Sequence, residues 1–539
     1  MATAIWPGRF IKHDRCIGYR KSFAGGRRMS KRAFGDFQTP MPLVESIVSL
    51  LKSLGIGANR VLEPTCGRGN FIHGLLNAGA PPAEIVGIEI SQEYVAQARL
   101  MAGENGAVRI LQANIFDMDF GHDLSWQKDG DLLVVGNPPW VTNAALGLLE
   151  SDNLPAKRNL KNLPGIDALT GASNFDLAEA IWIKLIRELY DQKPVIALLC
   201  KTSVARNVLQ YVRRHQIAIT DASIRLIDAR HWFNAAVDAC LFTMSVNRGK
   251  TCYEVEVYES LSTSQPQSRM GFIGDSLIPD LRQYTELQYI EGKSPYVWRQ
   301  GIKHDAASAM ELIDRDGNWY NALDERVEVE ETYLYPLLKS SDMRPSQRKL
   351  VKRAVIVPQR HVGENTWKLR QDAPELWRYL NQHINLFELR KSSIYKGKPP
   401  FSIFGVGSYT FSPYKVCVSG LYKMPYFKAV GLRGGRPVVC DDTCYLLPFN
   451  SASQAARTAA ALNHPITIRF LNSITFWDAK RPITKGLLSR INLDGLIERL
   501  PEPDIRHRTE KILDELAANG EIETLESAVM ESPAQLRLL

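Results

Sequence analysis

Seven short apolar runs, at 60–63, 85–90, 108–112, 132–135, 195–200, 224–227 and 240–246, alternate with stretches of helical periodicity at 42–54, 91–101 and 174–190. Runs this short read as strands covered on both faces. Such strands pair in parallel, and each parallel pairing needs a crossover long enough to hold a helix. The pattern predicts an α/β fold, a mostly parallel sheet with helices on both faces, over residues 35–250.

At 539 residues the chain is too long for a single core. A polar, turn-rich stretch at 259–271 (ESLSTSQPQSRMG) reads as the centre of a surface linker covering 251–290. Residues 291–505 show no strand–helix repeat and read as a second, mixed, β-containing domain. Residues 506–539 read as an amphipathic helix ending at Gly520 and a tail. Residues 1–34 read as a basic N-terminal arm.

The net charge of +8 suggests a polyanionic partner. From Leu389 through Val439 there is no Asp or Glu, while Arg390, Lys391, Lys396, Lys398, Lys415, Lys423, Lys428, Arg433 and Arg436 all fall there. Tyr395, Phe401, Phe404, Tyr409, Phe411, Tyr414, Tyr422, Tyr426 and Phe427 are interleaved with them. Cations neutralise phosphate and exposed rings can stack or wedge, although a share of these rings is expected in a core. The cluster Arg344, Arg348, Lys349, Lys352 and Arg353 extends the same expected surface.

No apolar run approaches the ~20 residues of a membrane span. The first residues carry charges where an export signal would be apolar, so a cytoplasmic protein is expected. The eight cysteines are too scattered for a disulfide framework. Cys440 and Cys444 lack further ligands nearby, so free thiols and no metal site are expected.

Three segments carry chemistry. In Glu63-Pro64-Thr65-Cys66-Gly67-Arg68-Gly69-Asn70-Phe71 a strand ends on an acid and runs through a Gly-x-Gly turn into a helix. Glycines there let a ligand approach the backbone at the carboxyl end of the sheet. A second strand ends on Glu89, about 20 residues on, where a carboxylate can take both ribose hydroxyls of a nucleoside cofactor. No third glycine completes a dinucleotide fingerprint, which favours S-adenosylmethionine over a pyrophosphate cofactor. The third segment, Asn137-Pro138-Pro139-Trp140, follows an apolar strand. Its prolines remove amide hydrogens and leave carbonyls free, so the Asn137 side-chain oxygen and the Pro138 carbonyl form two acceptors aimed at one amino group.

With Phe37-Gln38-Thr39-Pro40, the loop at 63–71, Glu89, Asn114 and Asn137 to Trp140 in that order, the chain resembles the gamma-class amino-methylating DNA methyltransferases of the TaqI type, which modify adenine at N6. The resemblance covers about residues 35–248 and continues more loosely beyond. It implies an S-adenosylmethionine-dependent, Rossmann-like methyltransferase domain at 35–250, then a target-recognition domain at 291–505 that binds double-stranded DNA.

The resemblance assigns Thr39, Glu63, Pro64, Cys66, Gly67 and Gly69 to the methionine end of the cofactor and Glu89 to its ribose. Asn114 replaces the usual Asp at the cofactor adenine, and Phe116 joins it in cofactor binding. Asn137, Pro138, Pro139 and Trp140 become catalytic, with Phe233 against an extruded base and Trp232 as its substitute. Asn174-Phe175-Asp176 resembles a later cofactor-side motif, and the segment 141–173 is expected to close over cofactor and base. Restriction-modification, phage defence and orphan methylation all stay open as the role of the chain; the chain itself is expected to modify DNA without cutting it, and a separately encoded endonuclease or defence-system subunit is a candidate partner. Two other readings stay open: an RNA or protein amine methyltransferase using the same motif, and a DNA-recognition subunit without catalysis.

Overall fold

The computed structural model describes residues 38–141, 176–343 and 352–522. The chain divides into two compact units, one of residues 38–138 with 178–539 and one of residues 1–37 with 139–177. The expected basic arm at 1–34, the closing segment after Val141, Arg344, Arg348, Lys349 and the tail beyond 522 lie outside the described residues.

The first unit is built on a ten-stranded sheet. Its strands are β1 (Arg60–Glu63), β2 (Glu84–Glu89), β3 (Val108–Gln112), β4 (Leu132–Gly136), β5 (Val195–Lys201), β6 (Ile219–Ile227), β7 (Ala239–Val246), β8 (Val255–Tyr258), β9 (Ser268–Ile273) and β10 (Ser276–Ile278). They lie in the order β10-β9-β8-β6-β7-β5-β4-β1-β2-β3. β3, β2, β1, β4 and β5 are mutually parallel, and β7 runs antiparallel to both β5 and β6. The carboxyl ends of β1 to β6 therefore share one edge with the start of β7. Apolar side chains fill β1, β4, β5 and β7 because both faces are covered. The covering helices include α1 (Met41–Ser53), α2 (Asn70–Leu76), α3 (Gln92–Ala102), α4 (Leu177–Glu188), α5 (Thr202–Arg214) and α6 (Ala229–Phe233).

The α/β fold with a second, β-containing region is as the sequence predicts. β6 is longer than its apolar run suggests: it starts at Ile219, and its pairing with β7 shifts between Thr220 and Ser223, with Asp221 at φ +50°. That bulge breaks the two-residue period, so its first half does not read as strand.

The expected linker at 251–290 is corrected. β8 joins the sheet parallel to β6, and β9 and β10 extend it. Ile278, Tyr284 and Leu287 then pack into the core of the C-terminal region. ESLSTSQPQ, residues 259–267, is the polar connection from β8 to β9, not a domain hinge.

The C-terminal region holds a five-stranded and a four-stranded sheet. One core gathers Leu312, Val355, Leu376 and Phe401, another Val416, Phe427, Leu447 and Phe470. The last described helix spans Glu502–Ala518, four residues longer at its start than the sequence reading, and buries Ile505, Leu513 and Leu516 in the second core. No helix among the described residues is long and apolar enough to cross a membrane.

Candidate active site

β1 delivers Glu63 to the shared edge, where the chain turns through the glycine loop into α2. Gly69 caps that helix at φ +85°, and a β-carbon there would lie 3.3 Å from the α-carbon of Ala98, so a side chain would be both strained and crowded. The Glu89 carboxylate, at the end of β2, accepts from the amides of Gly67 at 2.9 Å and Ser91 at 2.8 Å, which ties the second strand end to the loop. The Gln38 side chain accepts from the Arg68 amide at 3.1 Å, and Asn70 donates to the Thr39 carbonyl at 2.7 Å. Thr39 is buried against the loop as a result. The sequence reading passed over Gln38 and Asn70, although both lie inside its motifs.

After β3, the Asn114 side-chain oxygen accepts from the Phe116 amide at 3.1 Å, an Asx turn that leaves both residues half-buried at the edge. β4 ends on Gly136, whose missing β-carbon would stand 3.3 Å from the Glu63 side chain and 3.6 Å from Pro64. This close approach seats Asn137, half-buried, and Pro138, buried, beside the β1 loop. Between Pro138 and Pro139 the chain passes into the other unit, where Trp140 is buried. Asp176, also buried, lies there too, while Asn174 and Phe175 are outside the described residues.

Glu63 is 2% exposed, and its Oε2 has no hydrogen-bond partner. Burial pushes its carboxyl well above the usual range, the Ile72 amide offsets part of that, and neighbouring Glu89 adds to it. The Cys66 thiol is likewise pushed up, by burial first and then by Glu63 and Glu89, so Cys66 is a packing residue and not a nucleophile. Thr65 Oγ1 is a second buried polar atom without a partner in the same loop.

Phe233 sits on the connection from β6 to β7, at the same edge. Its short helix is capped by Asp228, which accepts from the Arg230 and His231 amides at 2.9 Å, and ends at Asn234 in the left-handed region. Phe233 is 9% exposed and Trp232 half-buried. A cleft of about 410 Å³ runs along this connection, lined by Asp228, Arg230, Val237, Asp238 and, from the C-terminal region, Lys423.

The basic surface needs correction. Lys415 is buried and donates to the Ser412 carbonyl. Arg390 lies 3.7 Å from the Tyr395 ring and donates to the carbonyls of His304 and Ser402. Lys428 donates to the Asp342 carbonyl, Arg433 pairs with Glu521, Arg436 binds the carbonyls of Glu331 and Leu334, and Lys423 pairs with Asp238. Lys391, Lys396 and Lys398 remain exposed without an ion pair. In the neighbouring cluster, Lys352 pairs with Asp314 and Arg353 with Asp342. None of the nine aromatics is exposed: Phe401 and Phe427 are buried in the two cores, and the other seven are half-buried. Cys440 and Cys444 are buried free thiols, and no group of three metal-ligating side chains occurs among the described residues.

An orphaned buried carboxyl oxygen, a glycine loop and a half-buried Asn114 and Phe116 along one edge fit a cofactor with an ammonium at one end and a purine at the other. A family model for a methyltransferase domain matches residues 57–131, the stretch that runs from β1 to the start of β4. With the relative that follows, this match makes the chain an S-adenosylmethionine-dependent methyltransferase. The type II methyltransferase M.NspV of Nostoc sp. is 38% identical over 472 residues, which are 87% of this chain and 98% of the relative. The chain belongs to the type II methyltransferases. Among solved structures, the type IIL restriction-modification enzyme MmeI in complex with DNA aligns with 93% of this chain and 76% of its own, at 14% identity and a TM-score of 0.48. The type IIG restriction endonuclease BpuSI aligns with 88% of this chain and 61% of its own, at 15% identity and a TM-score of 0.36.

Proposed function

We propose that this chain methylates N6 of adenine in double-stranded DNA after turning the base out of the helix. The observation that carries this reading is the seat of Asn137 and Pro138 on the strand edge, packed through Gly136 against the cofactor loop.

The adenine amino nitrogen is a poor nucleophile because its lone pair is delocalised into the ring. The Asn137 oxygen and the Pro138 carbonyl would accept its two hydrogens and favour the tetrahedral nitrogen that develops at the transition state. S-adenosylmethionine, when bound, supplies an electrophilic sulfonium methyl. Glu63 and Thr39 would hold its methionine end, Glu89 its ribose, and Asn114 with Phe116 its adenine. Pro64, Cys66, Gly67 and Gly69 would shape the loop around it. No strong base is required, since the methylated nitrogen sheds its extra proton readily.

N6 lies inside the duplex stack, so the base must be extruded at a cost of a few kcal/mol. Phe233 would contact the extruded ring, while the stacking role of Trp140, with Pro139 stiffening the turn before it, rests on the motif alone. Residues 291–505 would recognise the target, with Lys391, Lys396 and Lys398 free to meet phosphate. A separately encoded endonuclease would complete a restriction-modification pair.

Replacing Asn137 by Ala should lower kcat by about 100- to 1000-fold, as loss of one preorganised partner of the developing charge does, and leave cofactor affinity within about twofold. A variant that keeps substantial turnover contradicts the acceptor pair.

A further inference from the structure

In the C-terminal region, strands Tyr414–Ser419 and Phe427–Val430 pair antiparallel and are joined by the turn Gly420-Leu421-Tyr422-Lys423-Met424-Pro425-Tyr426. Met424 at its tip is 82% exposed, and Leu421 is 38% exposed. An apolar tip of this kind costs hydration and gives nothing to the fold. Everything beneath it is fixed. Gly420 donates to the Thr443 carbonyl at 2.9 Å, Leu421 to Ser419 Oγ at 3.1 Å, and the Phe427 backbone exchanges two hydrogen bonds with the Asn463 side chain. Tyr422 packs on the core around Cys417 and Cys440, and Pro425 restricts the backbone next to Met424.

The turn is also placed. Lys423 Nζ lies 3.5 Å from Asp238 and lines the cleft along the connection that carries Phe233. A rigid turn from the C-terminal region thus holds a bare Met at the edge where Asn137, Pro138 and Phe233 stand. It belongs to a block of 51 residues, 389–439, that itself contains no Asp or Glu, and Lys423 offsets the charge of the neighbouring Asp238.

We propose that Met424 is a wedge that enters the duplex at the target step and fills the space vacated by the extruded adenine. This rests on the base-extruding reading above. An unbranched apolar side chain suits the task, because it replaces lost stacking with dispersion contacts and asks for no hydrogen bond from either neighbouring base pair. Met424 acts on the DNA and not on the transferred methyl, so it is a positioning residue.

The test uses the full chain and a duplex carrying its own methylation site, with 2-aminopurine, which brightens when unstacked, in place of the target adenine. Wild-type protein should raise the fluorescence severalfold. Met424→Ala should lose most of that rise and, on the same duplex with adenine at the target, turn over about tenfold more slowly, with thermal stability and cofactor affinity unchanged. Met424→Leu should restore both signals. A duplex whose target adenine faces an abasic site should bring Met424→Ala close to wild type, since less unpairing is then needed. An equal rise and equal turnover for wild type and Met424→Ala would overturn the wedge alone. No rise with wild type would overturn base extrusion and the wedge with it.

Discussion

At the scale of single residues, Glu63 is the group whose environment is least comfortable without a ligand. In the unfolded chain it ionises like any glutamate, near 4.3, whereas burial holds the folded carboxyl protonated to a higher pH. The stability this shift contributes is full below the ordinary value and is lost as pH rises through the raised one. A cofactor ammonium against Oε2 favours the carboxylate, so binding should release a proton and tighten as pH rises through the raised value. Calorimetry in buffers of different ionisation heat checks this release. Glu63→Gln should remove the pH dependence, weaken S-adenosylmethionine by about 2–3 kcal/mol, or roughly 30- to 150-fold, and raise the melting temperature of the free protein at alkaline pH. Affinity that does not change with pH in the wild type would move the ammonium elsewhere.

At the scale of elements, the helix α5 shows how the C-terminal region supports the catalytic sheet. It follows β5 directly, has no side-chain cap and no acid in its first turn. Asp478, far along the chain, supplies the acid: its carboxylate accepts from the Thr202 hydroxyl and, at 2.5 Å, from Arg206, while Arg206 lies over the Phe476 ring at 4.6 Å. Both charged side chains are largely buried, at 14% and 16% exposure, so solvent screens the pair little. Asp478→Ala should cost about 1.5–3 kcal/mol, seen as a lower melting temperature, and Asp478→Asn should fall between. An unchanged melting temperature for the alanine variant would mean that the contact does not support α5.

The elements legible in the sequence were those whose signal is local. β1 and β3 coincide with their apolar runs, β1 as a strand buried on both faces and β3 as a half-buried edge strand whose aliphatic residues mark it locally. The bulged start of β6 and the short β9 and β10 were not legible, since pairing partners and not composition make them strands.

At the scale of the whole molecule, the same distinction explains the basic block. Its cations looked free because their partners are remote: Glu521 for Arg433, Asp238 for Lys423, and the carbonyls of Glu331 and Leu334 for Arg436. Only folding reveals that Lys391, Lys396 and Lys398 are exposed and outside any ion pair. The candidate site was the most legible part, since strand ends that share an edge bring Glu63, Glu89, Asn114 and Asn137 together whatever the rest of the chain does. How Asn137 is held there, through Gly136 against Glu63 and Pro64, required the structure.

The central claim is that this edge transfers a methyl group to adenine N6 in duplex DNA. The direct measurement is to incubate the purified chain with unmethylated plasmid and isotopically labelled S-adenosylmethionine, digest the product to nucleosides, and identify the labelled one by mass spectrometry. The account predicts label in N6-methyladenine, incorporated about 100- to 1000-fold more slowly when Asn137 is replaced by Ala. Label in a methylated cytosine, or in RNA or protein offered alongside while the DNA stays unlabelled, would contradict it.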